Sequence, residues 1–230
     1  MKTLPRKKER NWSKVFVIIA GIAFVLLFVG TYFMTLLNGT FFSPKIQGGE
    51  TVLIGLTIRD EKNRPILTTS QQVYSDALTQ GFQVFFTPQP TVIANKTYNE
   101  SLVGVDAYAP QMQWVKFGLF GPEMERITNS LVGMREGETK TIDLTSFLSS
   151  TRKMTIEQFE GIGGNYNSTQ EGDQIVLGFT QQPTIPVGGS NTTPSYFSRT
   201  MEVVNKSSDG VTVSYWYSSA EITINKVTSK

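Results

Sequence analysis

Carboxylates and aromatic rings supply most of the chemistry open to this chain, because its 230 residues include neither histidine nor cysteine. Without imidazole there is no Ser-His relay and no histidine general base. Without either residue type the thiol nucleophile and the ordinary zinc site are also excluded. Two carboxylate pairs lie close in sequence, Asp60 with Glu61 and Glu123 with Glu125. Solvated turn and helix faces explain them more economically than the acid and base of a glycosidase. Gly161-Ile162-Gly163-Gly164 has no following helix or lysine, so it reads as a loop and not as a phosphate cradle. In the run Tyr215-Trp216-Tyr217, strand alternation buries Trp216 and exposes both tyrosines, a platform for extended peptide or an interface. No cofactor or metal is expected.

The elements that must carry these groups are mostly strands. Glu50 to Asp60 alternates and is β-branched, and Lys140–Leu144, Asp173–Thr180, Thr200–Val204, Val211–Tyr217 and Glu221–Val227 behave alike. Polar turns at Glu61–Pro65, Arg135–Glu138 and Ser207–Gly210 favour antiparallel neighbours. Met124, Ile127, Leu131 and Met134 are spaced by three or four residues, which predicts a helix lying across the sheet. A weaker helix is expected over Gln71–Thr79. The stretch from Thr180 to Ser198 is rich in Pro, Gly, Ser and Thr and reads as a loop.

From Val15 to Leu37 the chain runs without a charge, long enough as a helix to cross a bilayer core of roughly 30 Å. Lys2, Arg6, Lys7, Lys8, Arg10 and Lys14 precede it. The positive-inside rule then predicts a cytoplasmic N-terminus and a single-pass membrane protein whose remainder is extracytoplasmic. A cleaved signal peptide would have a shorter apolar run and a small-residue exit, whereas this run ends in Leu36-Leu37-Asn38-Gly39. Beyond residue 37 there are 15 basic and 18 acidic residues. Such a mildly acidic remainder argues against nucleic acid as a partner. Six N-x-S/T triplets, at Asn38, Asn95, Asn99, Asn167, Asn191 and Asn205, lie beyond the apolar run and are compatible with export.

Particular residues carry a resemblance to one family. Gly49-Glu50-Thr51-Val52 opens a strand that turns at Asp60–Pro65 and resumes as Ile66-Leu67-Thr68-Thr69-Ser70. Phe117-Gly118, the Met124–Ser130 segment and Leu131-Val132-Gly133-Met134-Arg135-Glu136-Gly137-Glu138 follow in order. This arrangement resembles the first hairpin, the central helix and the L-x-G-M-x-x-G-E turn of FKBP-type prolyl isomerases. The later segments Met154–Phe159, Glu171–Ile175, Val203–Ser214 and Glu221–Val227 are similar to the inserted flap lobe of long archaeal and bacterial members. The resemblance implies an α+β fold, an antiparallel FKBP-like half-barrel sheet around a short helix with an inserted β lobe. The expected organisation is a basic tail over 1–14, a transmembrane helix over 15–37, a linker over 38–47, the FKBP-like domain over 48–149 and 218–230, and the lobe over 150–217.

That family's chemistry requires little acid or base. Twisting an X-Pro amide faces a barrier of about 18 to 20 kcal/mol, and an apolar cavity that desolvates the carbonyl favours the twisted state. By resemblance the cavity is lined by Leu56, Leu67, Phe117, Met124, Ile127 and Ile224, with Glu123 supplying a backbone N–H to the substrate carbonyl. Leu56, Leu67-Thr68 and Ile127 stand where the family usually has tyrosine, Phe-Asp and an aromatic floor, and the flap tyrosine has no clear counterpart near Ser150. The expected function is a membrane-anchored prolyl isomerase and folding chaperone with weak catalysis, its partners unfolded or proline-containing polypeptides. The competing expectation is a non-enzymatic, membrane-tethered β domain for adhesion or envelope assembly.

Overall fold

The computed structural model describes residues 12–41, 43–145, 151–181 and 195–228. They fall into two units, residues 1–43 and 44–230. Helix α1 (Trp12–Phe41) makes up the first, and it takes in the whole charge-free run. Its segment Phe16–Phe33 is long and apolar enough to cross a membrane.

The second unit follows chain order β1 (Thr51–Arg59), β2 (Pro65–Thr68), α2 (Gln71–Thr79), β3 (Phe85–Phe86), β4 (Thr91–Ile93), β5 (Leu102–Ala109), β6 (Gln113–Phe120), α3 (Gly121–Ser130), β7 (Thr139–Asp143), β8 (Thr151–Met154), α4 (Ile156–Gly161), β9 (Gln174–Gln181), β10 (Ser195–Ser207), β11 (Gly210–Ser214) and β12 (Ser219–Thr228). The described strands form one large open sheet, ordered β7-β12-β1-β2-β3-β5-β6-β10-β11-β8, with β4 on β1 and β9 on β10.

The fold is α+β, but the sheet is mixed where an antiparallel one was expected. Helix α2 carries the chain back over the sheet between β2 and β3, so those strands run parallel, as a crossover requires. The second parallel contact is Ser198 of β10 against Phe117 of β6. It depends on two glycines: Gly104 and Gly118 face each other across β5 and β6, and Phe197 lies over both, where an added Cβ would come within 2.9 Å of its ring at Gly104 and 3.1 Å of its Cβ at Gly118.

Period-two alternation makes β1 a core strand. Val52, Ile54, Leu56 and Ile58 point inward, and Leu56 and Ile54 pair with Ile222 and Ile224 of β12. Met124, Ile127 and Leu131 extend the same core, each buried aliphatic contributing about 1.5 to 3 kcal/mol. The helix itself starts earlier than the Met stripe suggests, with Pro122 in the first turn, where a missing N–H costs nothing. It ends before Met134, in a turn where Gly133 takes a positive φ.

A second core cluster draws only on later residues, Met154, Phe159, Leu177, Met201, Val203, Val211 and Val213. Thr155 caps α4 by accepting from the Gln158 N–H while the Gln158 side chain accepts from the Thr155 N–H, which seats Phe159 in this cluster. Strand β8 pairs with β11 and has no other strand neighbour among the described residues.

Several sequence expectations shift. Strand β11 stops at Ser214, so alternation does not extend into the aromatic run. Tyr217 is buried while Tyr215 and Trp216 are half-exposed. Asp60 is not solvated: its carboxylate accepts from the Lys62 and Arg64 backbone N–H groups and pairs with the Arg64 guanidinium at 2.7 Å. The middle of the Thr180–Ser198 loop and the flap position near Ser150 lie outside the described residues, while Ser195–Ser198 belong to β10.

Gly210 closes the β10–β11 turn, where a Cβ would lie 2.0 Å from the Met154 carbonyl oxygen. Gly210→Ala is expected to destabilise the protein by about 1 to 3 kcal/mol, measured by denaturant unfolding. In the same turn, hydrogen bonds from Lys153 and Ser207 lower the pKa of Asp209 to about 2. A depressed carboxylate stabilises the fold at pH values above its unfolded pKa, and that contribution is lost as pH falls through about 2. Carboxyl-carbon NMR should show Asp209 titrating near that value, with Lys153→Ala moving it toward the ordinary aspartate range.

Candidate functional site

The seven residues expected to line a prolyl cavity are brought together, but as a sealed core. Leu67, Phe117, Ile127 and Ile224 have no exposed surface, and Leu56, Met124 and Glu123 have almost none. The six apolar ones belong to one hydrophobic cluster. Phe117 packs against Phe85 and Tyr217 at ring separations of 5.0 and 6.2 Å.

Glu123 plays a different part from a backbone donor alone. It was expected on a solvated helix face beside Glu125, yet it is buried because Arg199 of β10 reaches it. Arg199 has five N–H donors in a planar fork. Nη1 donates to Glu123 Oε2 and to the Gly118 carbonyl, and Nη2 donates to Glu123 Oε1 at 2.6 Å and to the Tyr215 carbonyl. Nε also donates to the Tyr215 carbonyl, so the guanidinium is fully satisfied without water. Its faces are covered by Phe120 and Tyr217, whose ring centroids lie 4.2 and 4.0 Å from Cζ. Glu123 Oε2 additionally accepts from the Phe120 N–H at 2.8 Å, satisfying one of the orphan donors at the start of α3.

The electrostatics follow from burial. Desolvation alone would lower the Arg199 pKa, but the Glu123 carboxylate opposes it and the result is a raised value. For Tyr217, burial is the main cause of a raised pKa, so the phenol stays protonated and donates to the Thr200 carbonyl at 3.0 Å. Arg199 lies far along the sequence from Glu123, and no local signal marks the pair.

An accessible groove opens beside this sealed centre. Its volume is about 230 Å³, and its lining is Phe120, Arg152, Met154, Ile162, Phe179, Met201, Val213 and Tyr215. Strands β8, β11, β10 and β9 supply Met154, Val213, Met201 and Phe179, and Ile162 of the turn after α4 borders it. Phe120, Tyr215 and Trp216 form a contiguous aromatic edge with ring separations of 5.1 to 5.9 Å. Phe120 joins the two features, since the ring that lines the groove also covers Arg199. A shallower concavity shares Ile162 and Phe179 and continues past Phe197 to the exposed Tyr196 and to Lys116.

Such a surface suits apolar side chains. Methionine adapts its shape to different partners, and aromatic edges bind with small loss of conformational freedom. Among the described residues no group of three or more acidic residues could hold a metal ion. Of the groove residues, the sequence points to Tyr215 as a binding surface, through the aromatic run. Met154, Met201 and Val213 come from strands whose shared face is set by long-range pairing. No family model matches the chain, and no curated protein matches it.

Removing one partner of a buried ion pair leaves the other charge uncompensated, whereas replacing both with apolar groups is often close to neutral. Arg199→Met is therefore expected to cost about 3 to 5 kcal/mol in denaturant unfolding, and Glu123→Leu a similar amount. The double variant should be markedly more stable than the sum of the two losses predicts.

Proposed function

We propose that this chain is a membrane-anchored, FKBP-like folding factor whose prolyl cavity has closed, and that it holds extended apolar polypeptide in the groove above β8–β11. The observation that carries this reading is the adjacency of two features. The residues that would line a prolyl site are packed into the main core, and beside them the partly exposed Phe120, Ile162, Phe179 and Tyr215 edge a groove over the buried Met154 and Met201.

Further support comes from the arrangement of β7, β12, β1 and β2, consecutive antiparallel neighbours whose inward residues share one core cluster with Ile127 and Leu131 of α3. In the FKBP reading these strands are the half-barrel and α3 is its central helix. The second core cluster is then the core of the inserted lobe, and the lobe does the binding. Apolar contact with a mobile chain favours binding roughly in proportion to the area buried, at about 25 cal/mol per Å² before ordering costs. The apolar run of α1 would confine this activity to a membrane surface, with residues 44–230 on the extracytoplasmic side.

The test uses the full chain in lipid nanodiscs. Fluorescence anisotropy against a permanently unfolded, alkylated polypeptide should show saturable binding. Ile162→Asp and Phe179→Asp, both at partly exposed positions of the groove, should weaken it at least tenfold. NMR exchange spectroscopy of an Ala-Leu-Pro peptide should show no acceleration at the same protein concentration. Absence of client binding, or fast isomerisation by the wild type, would overturn the reading.

A further inference from the structure

The groove carries a charge, Arg152, that no described carboxylate answers. Arg152 and Met154 occupy alternate positions on β8, and both line the groove. Between them Lys153 projects to the other face and pairs with Asp209 at 2.6 Å. Arg152 has no carboxylate partner among the described residues, and no acidic side chain lines the groove. Directly opposite Arg152 on β11 stands Val213, and opposite Met154 stands Val211. An exposed guanidinium therefore sits at the edge of an apolar floor, within reach of an anionic group on a chain bound there.

The backbone of β8 adds a direction to that attraction. Among the described residues β8 is the last strand of the sheet on its side, so its outer edge faces no other strand. Extended peptides bind such edges by adding a strand, with main-chain hydrogen bonds giving affinity and alternate side chains giving specificity. A peptide aligned on β8 would place alternate residues over the groove, one beside Met154 and the next but one beside Arg152. Cross-strand neighbours of this kind are stabilised by apolar pairing and by opposite charge.

We propose that the β8 edge and its groove select an extended peptide bearing an apolar residue and a carboxylate two positions apart, the apolar side chain entering beside Met154 and the carboxylate pairing with Arg152. In the antiparallel alignment that β8 itself makes with β11, the apolar residue comes first, giving a pattern of apolar, any residue, acidic. Arginine suits this role because its fork meets a carboxylate through two hydrogen bonds. The inference rests on the polypeptide-holding reading above and adds to it a sequence preference.

The experiment compares four fluorescein-labelled peptides of one neutral, extended host sequence on the full chain in nanodiscs. Their variable triplets are Leu-Thr-Glu, Leu-Thr-Gln, Leu-Thr-Lys and Ser-Thr-Glu. Leu-Thr-Glu should bind about tenfold more tightly than Leu-Thr-Gln, with Leu-Thr-Lys and Ser-Thr-Glu weaker still, and its advantage should shrink as salt is raised. Arg152→Glu, a change at an exposed position, should reverse the order so that Leu-Thr-Lys binds best. If the three leucine peptides bind equally and Arg152→Glu changes nothing, the groove holds apolar chain without charge selection and this proposal falls alone. Failure of all four peptides and of the unfolded polypeptide to bind would remove both readings.

Discussion

A single guanidinium, Arg199, fixes how the later strands meet the helix that crosses the main core. An unpaired buried charge would be too costly to persist, so β10 must bring Arg199 within reach of Glu123, and α3 must begin where Glu123 can accept from both Arg199 and the Phe120 N–H. The Gly118 and Tyr215 carbonyls complete the set from β6 and from the segment after β11. Four parts of the chain are thereby held by one planar group. The Gly104–Gly118 pair contributes by admitting Phe197, two residues before Arg199, against the β5–β6 hairpin.

A second polar cluster ties the same regions together from another side. Arg64, in the turn between β1 and β2, pairs with Asp60 and with Glu202 of β10 and donates to the Gly172 carbonyl. Gln174 of β9 donates to Asp60 and accepts from the Gln83 N–H. With the later strands held at both places, the groove between β8 and Phe120 is presented on a fixed frame. A fixed frame loses less entropy when it orders a flexible chain than a mobile surface would.

Much of the architecture was legible from local pattern. Alternation marked β1 and β12, the apolar run marked α1, and α2 has the boundaries that were read, Gln71–Thr79, with Ser70 accepting from the Val73 N–H as its cap. The β5–β6 hairpin lies in a stretch for which the sequence reading names no strand, although Val103, Val105, Ala107 and Ala109 alternate inward with the exposed Gly104 and Asp106 between them. The parallel contacts were equally hidden, since direction in a sheet depends on the path of the connection and not on strand composition. The site was the least legible part. Glu123 and Glu125 look alike in sequence, yet Glu123 is sealed with Arg199 while Glu125 accepts from the Tyr98 N–H at 2.9 Å. Only the folded chain distinguishes them.

The proposed binding surface is the groove and not the packed core around Met124, and methionine methyl groups report on both places. Met124 lies in the closed core, whereas Met154 and Met201 line the groove. The measurement is a methyl NMR titration of the full chain in nanodiscs, labelled at methionine methyl carbons, with an unfolded apolar peptide. The account predicts that Met154 and Met201 shift progressively to saturation while Met124 stays in place. Movement of Met124 with the groove methionines unmoved would contradict it and place the peptide in the core around Met124.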